Sequence, residues 1–172
     1  MELDRVSQKF ILHWGEMGSR WGVNRTVAQI HALLFLADRP LHAETIADTL
    51  AIARSNVSTS LKELQSWNLA QVVHVFGDRR DHYLTIKDIQ EVFRTVLEGK
   101  KRREIDPTLT LLRDAVLSAD ETTPTIVRAK VTETLQFLEM LDEWYADMKK
   151  LESGSWLQLI KLGTKVQSML KQ

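Results

Sequence analysis

The chain has 172 residues, of which 44% are apolar and 27% are charged, and this predicts one globular domain, at most with an appendage. It contains no cysteine, which excludes disulfide frameworks, thiolate zinc sites and cysteine nucleophiles. Basic and acidic side chains number 23 each, whereas nucleic-acid-binding proteins usually carry a basic excess.

Apolar residues follow a helical spacing over most of the chain, which has only seven glycines and three prolines. A first helix is predicted over Asp4–Trp21. Asn24 is a good N-cap for a second helix, Arg25–Ala37, which Pro40 prevents from continuing. Two shorter helices are predicted to follow, over Ala43–Leu50 and Arg54–Trp67.

The spacing then changes to that of a β-hairpin. Ala70–Phe76 is rich in β-branched and aromatic residues, Gly77-Asp78 is a turn signal, and Asp81–Thr85 can return as a second strand.

Helical spacing resumes at Ile86 and continues towards Arg103, and Pro107 is expected to start a further segment. Asp120–Pro124 has the composition of a loop. The helix predicted over Thr125–Leu151 carries a narrow apolar stripe of coiled-coil type, formed by Val127, Val131, Leu135, Leu138, Leu141, Trp144 and Met148. A last amphipathic helix is predicted from Trp156 to Leu170.

The order of three helices and a hairpin over Arg25–Thr85 predicts a winged helix–turn–helix. On the second short helix, one face is apolar, with Val57, Leu61 and Leu64. The opposite face carries Ser55, Ser58, Thr59, Lys62 and Ser66. Solvated helix faces normally carry Glu and Lys, whereas short hydroxyl side chains let a helix approach base edges and phosphates closely. An ordinary amphipathic helix of uncommon composition is the alternative.

Four further side chains could contact nucleic acid. Arg54 and Asn56 flank the start of that helix, where side chains and free N–H groups can reach phosphates or bases. Arg79 and Arg80 at the tip of the hairpin could enter a minor groove or contact phosphates. Alternatively, these arginines belong to a solvated turn and pair with Asp78 and Asp81.

Residues 10–115 resemble the multiple-antibiotic-resistance (MarR) regulator superfamily, and more specifically its glycine-betaine-synthesis regulator (GbsR) branch. The resemblance rests on three segments, WGVNRTVAQIHALLFLADRPL, AETIADTLAIARSNVSTSLKELQ and GDRRDHY. The chain departs from the usual motif at Ala51, where such motifs often place glycine. A left-handed residue there costs about 1 kcal/mol more for Ala, so we expect a slightly different turn.

The resemblance implies that the second short helix reads the major groove, so that Ser55, Asn56, Ser58, Thr59 and Lys62 face bases and phosphates. It implies that Arg80 enters the minor groove, oriented by the Asp78 carboxylate. Members of the superfamily act as homodimers joined by their terminal helices. Two copies would then bind a palindromic operator in double-stranded DNA with half-sites roughly 34 Å apart.

The apolar stripe supports a homodimer independently, because a small helical core cannot cover it. A membrane surface is disfavoured, since the polar faces mix acidic and basic residues. The longest apolar run, Ala32–Ala37, is too short to cross a bilayer, and the first residues lack a signal-peptide pattern. We therefore expect a cytoplasmic protein without a membrane partner.

A small-molecule effector is left open. Regulators that resemble this chain respond in some cases to choline-like compounds, and a quaternary ammonium could be held by cation–π contacts. Aromatic residues at helical spacing are more often core residues. The candidates for such a cage are Trp14, Trp21, Trp144 and Tyr145.

No motif indicates an enzyme, a cofactor or a metal. Gly15, Gly18 and Gly22 lack a preceding strand and share one helix face, which indicates close helix packing rather than a nucleotide loop. The five histidines have no ligand spacing. No nucleophile–base arrangement or pair of catalytic carboxylates is recognisable.

The neutral total conceals an asymmetry, since residues 1–103 carry a net charge of +3 and residues 104–172 a net charge of −3. Most of the basic excess lies in Lys100–Arg103, which either touches phosphates or forms a solvated helix end.

We therefore predict a mainly α-helical protein with a small β-hairpin wing. An N-terminal helix (1–23), a winged helix–turn–helix domain (24–86) and a helical dimerisation region (87–172) would form a homodimeric transcriptional regulator, acting as a repressor. The alternative is a winged-helix module that binds another protein.

Overall fold

The computed structural model describes residues 2–150, which form seven α-helices and three strands. The helices are α1 (Arg5–Arg20), α2 (Arg25–Leu36), α3 (Ala43–Leu50), α4 (Arg54–Ser66), α5 (Ile89–Lys100), α6 (Asp106–Leu117) and α7 (Thr125–Lys149). The strands are β1 (Leu41–His42), β2 (Gln71–Val75) and β3 (Asp78–Leu84), in the antiparallel order β1-β3-β2.

Side-chain caps set the starts of the first two helices. The Asp4 carboxylate accepts hydrogen bonds from the backbone N–H groups of Val6 and Ser7, at 2.7 and 3.1 Å. The predicted cap Asn24 accepts one from the N–H of Thr26 at 2.8 Å. Each bond satisfies a backbone donor that has no partner within its helix. Both predicted helices are confirmed to within a residue.

Close packing of α1 on α2 accounts for two of the three N-terminal glycines. A Cβ atom at Gly18 would lie 2.6 Å from Cβ of Ala28, and one at Gly15 would lie 2.6 Å from Cγ of Gln29. The same interpretation is wrong for Gly22, which lies beyond α1 at φ +78° with open space around it. Gly22 instead takes the left-handed conformation that ends a helix.

The core of the N-terminal part lies between α2, α3 and α4 and extends to the sheet. Val57, Leu61 and Leu64 of α4 are fully buried, as the apolar stripe predicted. Lys87 closes the C-terminal end of α2, because its ammonium group donates to the carbonyl oxygens of Leu34, Phe35 and Ala37. A cation at this position is stabilising because the last carbonyls of a helix lack backbone partners.

The turn between α3 and α4 keeps the left-handed geometry, so the expectation of an altered turn is wrong. Ala51 has φ 52° and ψ 44°, and its N–H donates to the carbonyl oxygen of Ala47. The N–H of Ile52 donates to the same oxygen at 3.1 Å. The chain therefore accepts an unfavourable conformation at Ala51 in order to end α3 and begin α4.

Ala51→Gly should raise the free energy of unfolding by about 1 kcal/mol, because glycine adopts positive φ without the Cβ clash. Urea denaturation of the two proteins, at equal protein concentration, measures the difference. Ala51→Val is the matched control and should lower stability, since β-branched residues are disfavoured at positive φ. Equal stability of the Gly and Ala proteins would contradict the assignment of strain to this residue.

The strands differ from the prediction in two respects. β1 was not predicted, and it pairs with β3 through Leu41 opposite Tyr83 and His42 opposite His82. β3 begins at Asp78 rather than Asp81, so the hairpin turn contains only Phe76 and Gly77, the latter at φ +82°. Arg79 and Arg80 consequently lie on the strand and not at the tip of the turn.

The helical segment after the hairpin contains a turn of π-helix, Lys101–Ile105, between α5 and α6. Pro107 lies in the first turn of α6, as predicted. Because proline has no N–H and its ring crowds the carbonyl group four residues earlier, a regular α-helix cannot pass through this point unchanged.

The chain divides into two compact units, of which the first ends at Val96 and the second begins at Leu97. This division falls within α5, beyond the predicted boundary between residues 86 and 87, and the predicted domain limits remain a proposal. The helix predicted from Trp156 to Leu170 lies outside the described residues.

Candidate nucleic-acid interface

The polar stripe of α4 is exposed to solvent along its length. Ser55, Asn56, Ser58, Thr59 and Lys62 are all exposed, and the Thr59 hydroxyl donates to the carbonyl oxygen of Ser55 at 3.1 Å. The N-cap of α4 is Ala53, which has no side chain able to accept from the first-turn N–H groups. The helix therefore presents hydroxyl groups, an amide, an ammonium group and an uncapped N-terminus on one surface.

The hairpin of β2 and β3, which we call the wing, holds one arginine rigidly. The Arg80 guanidinium donates to the Asp78 carboxylate from Nε at 2.9 Å and from Nη2 at 2.5 Å, and the Arg80 N–H donates to Asp78 Oδ1 at 3.0 Å. These hydrogen bonds hold the pKa of Asp78 well below its usual range and raise that of Arg80. Asp78 thus fixes the direction in which Arg80 leaves the strand.

Glu44 on α3 joins the wing to the start of α4. Its carboxylate lies 2.7 Å from Nη1 of Arg54 and 3.3 Å from Nη1 of Arg80. Two cations that come from distant parts of the sequence are thereby held on one surface. Glu44 does not stand out in the sequence, because an acidic residue in the first turn of a helix is already explained by the helix dipole.

Two histidine rings pack next to the Asp78–Arg80 pair and the start of α3. His82 is buried on β3, and its Nδ1 lies 2.9 Å from the carbonyl oxygen of Arg80 while its Nε2 lies 3.5 Å from Asp78. His42 packs edge-on against His82 and accepts from the N–H of Thr45 at the start of α3. Burial, together with Arg80 and His82, lowers the pKa of His42.

The remaining predicted cations fall into two groups. Lys62 and Arg79 are exposed, and within residues 2–150 neither forms an ion pair. In the basic run Lys100–Arg103, Lys101 contacts the carboxylates of Asp106 and Asp142 at 2.5 and 2.8 Å. Lys101 therefore helps to join α6 and α7.

The four aromatic candidates for an effector cage have different surroundings. Trp14 stacks on Phe10 and His31, with ring centroids 5.2 and 6.2 Å apart, and so packs against the core. Trp21 and Trp144 are exposed, and Tyr145 is half-buried. An effector site remains a prediction.

Residues 2–150 contain no cluster of His, Asp and Glu suited to a metal ion. None of the helices in this range combines the length and the hydrophobicity that a membrane-spanning segment requires.

Residues 21–81 match a family model described as MarR family. The chain is 20% identical over 153 residues to the "Putative HTH-type transcriptional regulator YvaV" of Bacillus subtilis (strain 168), covering 87% of this chain and 86% of that protein. It is 22% identical over 95 residues to the HTH-type transcriptional repressor GbsR of the same organism, covering 55% of this chain and 52% of that protein. A solved structure of a transcriptional regulator aligns with TM-score 0.67 and 17% identity, over 89% of this chain and 99% of that one.

Proposed function

Because residues 21–81 match the MarR family model and fold as a helix–turn–helix followed by a hairpin, we propose that this protein is a sequence-specific DNA-binding transcriptional regulator, acting as a repressor. The observation that carries the proposal is the surface shared by α4 and the wing, where Glu44 holds Arg54 and Arg80 beside the hydroxyl stripe. α4 would lie in the major groove, and Arg80 would enter the adjacent minor groove. The similarity to a repressor supports the GbsR-like assignment.

We infer that the working form is a homodimer. Of the apolar stripe predicted on α7, Leu141 and Trp144 are exposed on the single chain, whereas Leu135 and Met148 are buried within it. Phe137 and Met140, outside the stripe, are exposed as well. Apolar surface of this extent on a helix is typical of a protein–protein interface. Two copies would place two α4 helices on half-sites one turn of DNA apart, and an effector could shift the angle between them.

The charge distribution indicates how specificity arises. Of the basic side chains on the candidate interface, Arg54 and Arg80 share a carboxylate, so few cations are free to bind phosphates indiscriminately. Non-specific affinity follows mainly from the number of neutralised phosphates. We therefore infer weak non-specific binding. From the similarity to transcriptional regulators we infer that the protein has no catalytic activity and acts in the cytoplasm, where it can reach DNA.

Selection from random duplex DNA by the purified protein tests the proposal. We expect enrichment of an inverted repeat whose half-sites are separated by one helical turn, and a loss of affinity as salt rises. Failure to enrich any sequence, or an affinity that does not change with salt, would contradict it. A winged-helix module that binds protein predicts that negative outcome.

Lys62→Ala should weaken binding to the selected site about tenfold, because an exposed ammonium on the reading face of α4 would be lost. Fluorescence anisotropy with a labelled duplex measures the change. Lys130→Ala is the control, since Lys130 is an exposed lysine on α7 that pairs with Glu133. Equal losses for the two variants would show that bulk charge, and not the position of Lys62, determines affinity.

A further inference from the structure

Phe76 at the tip of the wing exposes its whole side chain, with a relative exposure of 106%. It forms the two-residue turn with Gly77, and a Cβ atom added at Gly77 would meet no atom of residues 2–150 within 4 Å. The ring therefore stands at the extreme end of the hairpin with open space around it. An exposed phenylalanine ring is unfavourable in water, because apolar surface gains free energy when it is removed from water.

The surroundings of Phe76 favour contact with DNA, which has a negatively charged backbone and a stack of apolar base faces. Arg79 and Arg80 follow within four residues on β3, and both are exposed. Two further apolar side chains on the wing are exposed but less completely, Val72 at 36% and Val75 at 40%. One ring and two valines are far less than the roughly 1,000 Å² that a stable protein interface buries. A single ring is sufficient, however, to wedge between two stacked base pairs.

We propose that Phe76 is an apolar wedge that inserts from the minor groove between two base pairs and bends the DNA where the wing contacts it. The proposal rests on the proposed function and adds a residue that determines specificity. Wedges of this kind unstack one base step and kink the duplex by about 20–90°. Pyrimidine–purine steps unstack most easily, so the wing selects TA or CA/TG steps without hydrogen bonds to their edges.

The experiment uses the full chain and the duplex that it selects from random DNA. 2-Aminopurine replaces an adenine at the step under the wing, and its fluorescence rises when it is unstacked. We expect the wild-type protein to raise this fluorescence. Phe76→Ala should abolish the rise and weaken binding about tenfold, with an unchanged salt dependence because no charge is removed. Its melting temperature should not change, since Phe76 makes no buried contacts.

Val75→Ala is the matched control, because it removes apolar area from the same hairpin and leaves the ring in place. It should keep the fluorescence rise. Phe76→Ala binding as tightly as wild type, or binding with the same fluorescence rise, would overturn the wedge. A change only in self-association would assign Phe76 to a protein contact and would also overturn it. If the wild-type protein selects no sequence at all, the proposed function itself has failed, which distinguishes the two results.

Discussion

Arg80→Ala should weaken binding to the selected operator about 100-fold, the largest effect we expect from a single substitution on the interface. Two causes act in the same direction. The guanidinium that would enter the minor groove is lost. The carboxylates of Asp78 and Glu44, which Arg80 contacts at 2.5 and 3.3 Å, are also left facing the phosphates. Removing one partner of a charge pair costs more than the lost contact, because the remaining charge then repels the ligand. Fluorescence anisotropy at fixed salt measures the change.

Arg113→Ala on α6 is the matched control for the loss of an arginine. Arg113 also pairs with a carboxylate, Glu139, at 2.9 Å, and its side chain is 52% exposed against 50% for Arg80. Both variants lose one exposed arginine that pairs with a carboxylate, two carboxylates in the case of Arg80, so a general effect of the lost positive charge would weaken binding equally. A loss confined to Arg80→Ala places the contact on the wing, and equal losses would contradict that placement.

Asp78→Ala separates positioning from repulsion in the same experiment. It removes a negative charge near the phosphates, which by itself would strengthen binding. It also removes the two-point contact that orients Arg80. If orientation dominates, Asp78→Ala weakens binding despite the more favourable charge. Tighter binding by this variant would show that Asp78 acts only through its charge.

The sequence predicted those parts of the fold that depend on neighbouring residues. The cap at Asn24, the apolar stripe Val57–Leu64 and the hairpin all follow from spacing or from local turn chemistry. The exposed stripe of α4 and the pairing of Asp78 with Arg80 can likewise be predicted from residues that are close in the sequence. These features involve residues that are close in the chain, so one sequence is sufficient to find them.

Several of the missed features depend on contacts between distant residues. β1 is only two residues long and becomes a strand because β3 lies beside it. Glu44 and Arg80 are 36 positions apart, and Lys87 caps a helix end more than 50 positions earlier. No local pattern predicts such contacts, because each of these charged residues can be explained from its neighbours in sequence as an ordinary solvent-exposed charge. Phe76 was assigned to a strand because its β propensity is high, whereas the turn leaves it without a neighbour.

Lowering the pH from 6.5 to 4 should reduce the free energy of unfolding of the N-terminal unit by about 3 kcal/mol through one residue, His31. Its ring is buried on α2 beside Trp14 and Phe35, and its Nε2 atom has no hydrogen-bond partner among residues 2–150. Burial is the main cause that lowers the pKa of His31 from 6.5 to about 4, and the nearby Lys87 ammonium adds to it. The folded protein therefore keeps His31 neutral where the unfolded chain already binds a proton.

The sign of the effect follows from the proton count. Above pH 6.5 neither state binds a proton at His31, so its contribution to stability is complete. Between pH 6.5 and about 4 the unfolded state binds more protons than the folded state, so the free energy of unfolding decreases as the pH is lowered.

His31→Phe removes the titrating group and keeps an aromatic ring next to Trp14, so the stability of this variant should fall less over this interval. His13→Gln, which removes an exposed histidine from α1, should follow the wild-type curve. Urea denaturation followed by tryptophan fluorescence at each pH gives the three curves, and parallel wild-type and His31→Phe curves would contradict the assignment. If protonation of His31 destabilises the core in this way, the protein would release DNA at low pH because it unfolds. If DNA were released because groups on the wing are protonated, the unfolding curve would stay unaltered.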